Sequence, residues 1–151
     1  MTGLVVGIDE VDYEYSLDDG TTWLEVPEAR NVFIPETSTD WRDRTTLSVS
    51  DRHKRYGRGM KDTGEGAINC FSTVPVLDAA ALMEAVSDPD GVSFRVTFPP
   101  DETQSAGDVF TYKAHVELSL GGESEVDGDA MCALKLRPSG SVDRVKGALT
   151  A

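Results

Sequence analysis

The sequence predicts a mainly β fold with one flanking helix and one long basic loop. Three observations carry the prediction. Val92, Phe94, Val96 and Phe98 alternate with Ser93, Arg95 and Thr97, and Phe110 to Leu120 alternates in the same way with Thr111, Lys113, His115, Glu117 and Ser119. A two-residue period marks a strand with one buried face. Only residues 78–87 carry a helical stripe, and turn residues punctuate the rest.

In chain order, Val11, Tyr13, Tyr15 and Leu17 alternate with Asp12, Glu14 and Ser16. Asp18-Asp19-Gly20 then offers a turn, and Trp23, Leu24 and Val26 resume a strand, so residues 11–26 read as a hairpin. The short apolar piece Val32-Phe33-Ile34 ends at Pro35. Residues 36–63 hold few aliphatic residues and no sustained period, which reads as a long loop; loops of that length inside a domain are usually functional or disordered. Glu65 to Val74 reads as a strand with Ile68, Cys70, Ser72 and Val74 on one face, closed by Pro75. Asp78 is placed to cap a helix whose apolar stripe is Ala79, Leu82, Met83 and Val86. Asp88-Pro89-Asp90-Gly91 stops it. The two clean strands follow, then an acidic, glycine-rich loop from Gly121 to Asp129, a last strand at 130–137, and a flexible tail at 139–151.

The chain has 151 residues and a formal charge of −13. That length suits one domain over residues 1–151, large enough to fold without disulfides or metals. No apolar run approaches the ~18 residues of a membrane span. The first residues lack the long apolar stretch and basic flank of a secretory signal, so a soluble, non-secreted chain without membrane insertion is expected. Such acidity disfavours nucleic-acid binding over the whole surface. The charge is unevenly placed, however. Residues 42–61 hold Arg42, Arg44, Arg52, Lys54, Arg55, Arg58 and Lys61 against Asp43 and Asp51, a net +5 that leaves −18 on the rest.

Motifs with chemical meaning are sparse. Asp62-Thr63-Gly64 matches the aspartic-protease triplet, but that chemistry needs two carboxylates sharing a proton, and a turn entering a strand explains the same residues. Ser16 to Trp23 fits the Asp-box pattern S-x-D-x-G-x-x-W, which is a folded hairpin rather than a catalytic site. Glu123, Glu125, Asp127 and Asp129 lack the spacing of a calcium loop and read as a solvated acidic turn. His53 and His115 are isolated, a weak basis for a metal or a general base. No G-x-S-x-G, P-loop or G-x-G-x-x-G constellation occurs. Cys70 and Cys132 read as two small buried thiols, with a disulfide as the alternative. No enzyme, metal or cofactor is expected.

The basic loop allows three readings: a nucleic-acid contact with Tyr56 as stacking aromatic, a solvated loop without partner, or docking onto an acidic surface. The chain itself supplies an acidic surface in a second copy. A heterologous contact of that kind generates rings or filaments.

The run Lys54-Arg55-Tyr56-Gly57-Arg58-Gly59-Met60-Lys61-Asp62-Thr63-Gly64-Glu65-Gly66 resembles the loop-to-strand signature of the major tail tube proteins of long-tailed phages and gene transfer agents. A helix followed by Val92-Ser93-Phe94-Arg95-Val96-Thr97-Phe98-Pro99 resembles the family's F-x-V-T-F-P strand. Phe110 to Ala114 and the Pro138-Ser139-Gly140 exit fit in order, so the resemblance covers roughly residues 14–143. It implies a tail-tube β-sandwich or barrel, six copies to a ring, and rings stacked into a hollow conduit for DNA in a virion or phage-like particle assembled in the host cytoplasm. The implied partners are other copies, the tape measure protein, and the tail terminator and distal tail proteins; double-stranded DNA passes transiently. It implies a subunit interface on the loop at Arg42, Arg44, Arg52, Lys54, Arg55, Tyr56, Arg58 and Lys61. Thr111, Lys113, His115, Glu117 and Ser119 supply a wet strand face suited to an acidic lumen that lets DNA slide, although Lys113 locally opposes that sign. Many relatives carry an extra immunoglobulin-like domain, whereas about a dozen residues follow Pro138 here. The alternatives are a type VI secretion tube subunit and, with the aromatic Trp41 as its motive, a monomeric β-sandwich binding module.

Overall fold

The structure, a computed structural model, describes residue 7 and residues 10–48, 50–120 and 128–149. Within them run β1 (Asp12–Ser16), β2 (Leu24–Glu25), β3 (Thr37–Asp43), β4 (Tyr56–Thr63), β5 (Gly66–Phe71), α1 (Val74–Glu84), β6 (Val92–Thr97), β7 (Val109–Ser119), β8 (Met131–Pro138) and β9 (Asp143–Val145). Seven strands form an antiparallel sheet in the order β2-β1-β6-β7-β8-β5, with β9 also on β7; β3 and β4 form a separate two-stranded sheet. The mainly β fold with one flanking helix is as the alternation predicts.

The register explains the core. Tyr15 faces Phe94, Phe94 faces Tyr112, Leu118 faces Leu134, and Leu134 faces Ile68 across successive strands. Because side chains alternate, these residues share one face and bury together, with Val76, Ala79, Ala80 and Met83 of α1 in the same cluster. Phe94 stacks on Tyr112 with ring centroids 5.4 Å apart. The Tyr13 and Tyr112 hydroxyls hydrogen-bond each other, and Tyr112 donates to the Phe33 carbonyl at 2.7 Å. Burial pushes both phenols well above their ordinary pKa, so they stay protonated and tie the 31–34 segment onto the sheet.

One short segment covers both sheet edges. β2 pairs with β1, and Val26 N donates to Tyr13 O at 3.0 Å. A few residues on, Ala29 bridges to Cys70 on β5, Arg30 N donates to Asn69 O at 2.8 Å, and Asn31 Oδ1 accepts from Asn69 N at 2.6 Å. The sheet therefore curls barrel-wise around the core. Covering edge strands in this way removes templates for stray pairing.

Four expectations are corrected. The helix starts at Val74 rather than after Asp78. Thr73 occupies the N-cap position and Pro75 lies in the first turn, where its fixed φ suits helix entry. The buried stripe is Val76, Ala79, Ala80 and Met83; Leu82 points outward. The strand before it ends at Phe71, so Ser72 and Val74 lie outside it. Residues 36–63 are not an irregular loop. Thr37–Asp43 pairs with Tyr56–Thr63 as a hairpin, with a bulge between Thr39 and Trp41. Neither face of that hairpin packs on the core, so the sequence there had no reason to alternate.

The tail at 139–149 is not free. β9 continues the direction of β8 along β7: Ala114 faces Pro138 and Thr111 faces Asp143, so two extra residues bulge out around Gly140. Gly140 takes φ +92°, a left-handed conformation that favours glycine. Asp108 then anchors the segment, accepting from Gly147 N at 2.9 Å, Gln104 Nε2 at 2.7 Å and Arg144 Nε at 3.0 Å. The Gly147 amide, the Arg144 guanidinium and the Gln104 amide hold its carboxyl at about 2, below the usual carboxylate range. A depressed pKa contributes stability that is complete above the unfolded value of about 4 and is lost as pH falls toward the folded one. Asp108→Ala should therefore raise amide hydrogen exchange at 143–149 at neutral pH. In the unsubstituted chain that protection should be full above pH 4, decline progressively below it and be lost by about pH 2.

Candidate assembly surfaces

The β3–β4 hairpin stands as an arm with two unlike faces. Trp41 lies opposite Arg58 and Asp43 opposite Tyr56, so these four share one face. Trp41 and Tyr56 line an apolar hollow there and are 60% and 56% exposed. Arg42 faces Gly57 on the other side. A Cβ on Gly57 would collide with the Arg44 guanidinium, and one on Gly59 would lie 2.8 Å from the Asp40 carbonyl oxygen. Gly59 thus lets the backbone of the partner strand lie close across it, while Gly57 leaves room for the Arg44 side chain.

Residues 44–48 and 50–55 lie in the tip. Arg44 N donates to Arg55 O at 2.7 Å, Arg55 N donates to Thr45 Oγ1 at 2.9 Å, and Thr45 N donates to Asp43 Oδ1 at 2.9 Å. Arg55 pairs with Asp51 at 2.6 Å, and both side chains are exposed. The structure separates the eight basic-loop residues into three groups. Arg42 lies on one face, Tyr56 and Arg58 on the other together with Lys61, which faces Thr39 two residues from Trp41, and Arg44, Arg52, Lys54 and Arg55 lie in the tip. At the arm's base Gly64 N donates to Glu36 O at 2.8 Å and Thr63 Oγ1 donates to Gly140 O at 2.7 Å. The bulge between β8 and β9 is therefore the arm's footing.

The interface residues read from the sequence left out Trp41 and Met60, although both lie within 36–63. Met60 is 79% exposed and Leu47 in the tip is fully exposed. Their signal was available as large apolar residues set among cations.

Thr111, Lys113, His115, Glu117 and Ser119 share the face of β7 opposite the core, since Tyr112 and Ala114 are buried. The face is mixed in sign. Lys113 Nζ pairs with Asp19 at 2.6 Å and Asp88 at 3.3 Å, and the Asp19 carboxylate foremost raises its pKa. Glu117 faces Lys135, and His115 faces Arg137, which pairs with Glu65. Arg95 pairs with Glu14 at 2.8 Å and lies over Trp23 at 4.4 Å. Lys113 is thus neutralised by two carboxylates.

The remaining motifs are placed without chemistry. In the Asp-box turn, Ser16 Oγ donates to Asp18 at 2.7 Å and accepts from Gly20 N at 2.8 Å, and Thr22 N donates to Asp18 at 2.8 Å. Those contacts, the Thr22 amide foremost, lower the Asp18 pKa. The turn is satisfied internally and carries Trp23 onto the sheet. Asp62 lies in β4 opposite Ser38, His53 in the tip and His115 on β7, apart from one another. No group of three or more His, Cys, Asp or Glu side chains able to hold a metal occurs among the described residues. Glu123, Glu125 and Asp127 lie outside the described residues; Asp129 is exposed. No described helix is long and apolar enough to cross a membrane.

Cys70 and Cys132 are buried free thiols directly opposite each other on β5 and β8. Burial above all, then the neighbouring Cys132 and Glu28, pushes the Cys70 thiol up to about 11. The thiolate is the reactive form. The folded chain should accordingly take up no iodoacetamide at pH 8, and two equivalents after denaturation, read by intact mass.

No protein-family model and no curated protein matches the sequence. Solved structures do. A chain of the anti-feeding prophage baseplate, from a six-fold symmetrised cryo-EM structure, superposes with TM-score 0.67 at 8% identity over 97% of this chain and 98% of that one. The SPP1 tail tube superposes with TM-score 0.61 at 14% identity over 95% of this chain and 81% of that one. At such identities the likeness is one of fold. The chain has the β-sandwich fold of phage tail tube and baseplate proteins, as the order of its motifs suggested.

Proposed function

We propose that the chain is a non-enzymatic structural subunit of a phage-type tail tube, a single domain whose work is to polymerise. In this reading six copies close a ring, rings stack into a hollow conduit, and DNA passes through it to the host cell. Particles of this kind include gene transfer agents. The subunits assemble in the host cytoplasm, around a tape measure protein and between terminator and distal tail proteins. The one observation that carries the reading is the arm. A net charge of +5 on residues 42–61 projects from a body of −18 on a two-stranded sheet with exposed aromatics. Complementary potentials give register between subunits, and unlike surfaces in contact propagate. The tail-type fold supports it.

The mixed, ion-paired face of β7 is the proposed lumen wall. Lys113 is paired with two carboxylates and Glu117 faces Lys135 across the strands, so the face presents little net field to a passing phosphate backbone. A secretion-type tube or baseplate tier is the second reading, favoured by the match over 98% of the anti-feeding prophage chain.

Purified protein, concentrated stepwise and followed by sedimentation velocity and negative-stain microscopy, should form rings or tubes. A species that stays monomeric at every concentration contradicts the proposal.

A further inference from the structure

Helix α1 carries apolar residues on its outward as well as its buried side. Its eleven residues contain just two polar side chains, Asp78 and Glu84. Val76, Ala79, Ala80 and Met83 enter the core, while Val74 and Leu82 are 70% and 56% exposed and Ala81 and Ala85 are exposed beside them. A helix at a solvent boundary ordinarily turns polar residues outward, and one that is apolar all round belongs in a buried setting. Glu84 Oε1 accepts from Leu118 N at 2.6 Å, which holds the end of β7 against the last turn of α1. The flank of the helix is also acidic: residues 72–90 hold Asp78, Glu84 and Asp90, besides Asp88 that pairs with Lys113, and no basic side chain of their own.

The arm is its counterpart. Trp41, Leu47, Tyr56 and Met60 are exposed among arginines and lysines. We propose that the outward face of α1 in a second copy is the seat of the arm. The aromatics cover Val74 and Leu82, and the cations meet Asp78 and the carboxylates at the helix's C-terminal end. Tryptophan, tyrosine and arginine are the usual anchors of such contacts. At about 3.3 Å per residue the eight-residue β4 reaches ~26 Å from its footing, enough to reach a neighbouring subunit. The contact joins unlike surfaces, so every copy gives one arm and receives one, and the chain of contacts propagates. This deepens the tube-subunit reading and rests on it.

The test places the photo-crosslinker p-benzoylphenylalanine at Tyr56, and separately at Met60, in assembled protein mixed from isotopically distinct copies. Mass spectrometry after irradiation should find the arm joined to the peptide spanning residues 74–90 of another copy. Leu82→Glu should raise the critical concentration for assembly at least about tenfold with an unchanged melting temperature. Assembly with crosslinks to any other peptide, or a Leu82→Glu chain that assembles normally, overturns the seat while leaving the tube reading intact. An unsubstituted chain that never assembles overturns the tube reading itself.

Discussion

Reversing Arg52, Lys54 and Arg55 to glutamate should abolish assembly while leaving the fold in place. The three substitutions carry residues 42–61 from +5 to −1, so an arm attracted to its neighbour's acidic body becomes one repelled by it. All three side chains are exposed and lie in the tip, away from the core. Among the described residues the one ion pair lost is Arg55 with Asp51, and exposed pairs contribute little. Surface changes of this kind move stability by about 0.5 kcal/mol or less each. Sedimentation velocity should show only the smallest species, and the thermal midpoint should stay within about 3 °C of the unsubstituted chain. Assembly at the original concentration would remove the tip's charge from the account.

Phe94→Ala should be the most damaging single core substitution. The ring is fully buried at the centre of the sheet, stacked on Tyr112 at 5.4 Å and tilted against Tyr13 at 6.0 Å. Truncating a buried phenylalanine costs about 3–5 kcal/mol through lost transfer energy and the cavity left behind. Against a typical total of about 5–15 kcal/mol that leaves a marginal protein. The urea midpoint should fall steeply at unchanged slope. Tyr112→Phe isolates the hydroxyl: it keeps the ring but takes the 2.7 Å donor from the Phe33 carbonyl, leaving that oxygen the Tyr13 hydroxyl at 3.4 Å, a loss of about 1–3 kcal/mol. If Tyr112→Phe equalled Phe94→Ala, the hydroxyl network rather than the aromatic stack would hold the sheet together.

The central sheet was legible because one face is buried and the other wet, which writes a two-residue period into β1, β6 and β7. The arm was illegible as a hairpin for the complementary reason: a sheet with no core face has no alternation to read, and Trp41 alone marks β3. Its charge, by contrast, stood out in the composition of twenty residues. The helix was found but misplaced. Both Leu82 and Val76 sit on apolar stripes of a helix that is apolar on its outward as well as its buried side, so pattern could not choose between them, and Pro75 suits a strand's end as well as a helix's first turn. The fixed tail was hidden because Asp108, Arg144 and Gly147 meet across about 40 residues of chain.

The account stands or falls on where the arm goes in an assembled particle. A cryo-EM reconstruction of tubes grown from the purified chain measures this most directly. The account predicts continuous density from the β3–β4 arm into the body of a neighbouring copy, with Trp41 and Tyr56 covered. Tubes whose arms project into solvent, touching no other copy, would contradict it.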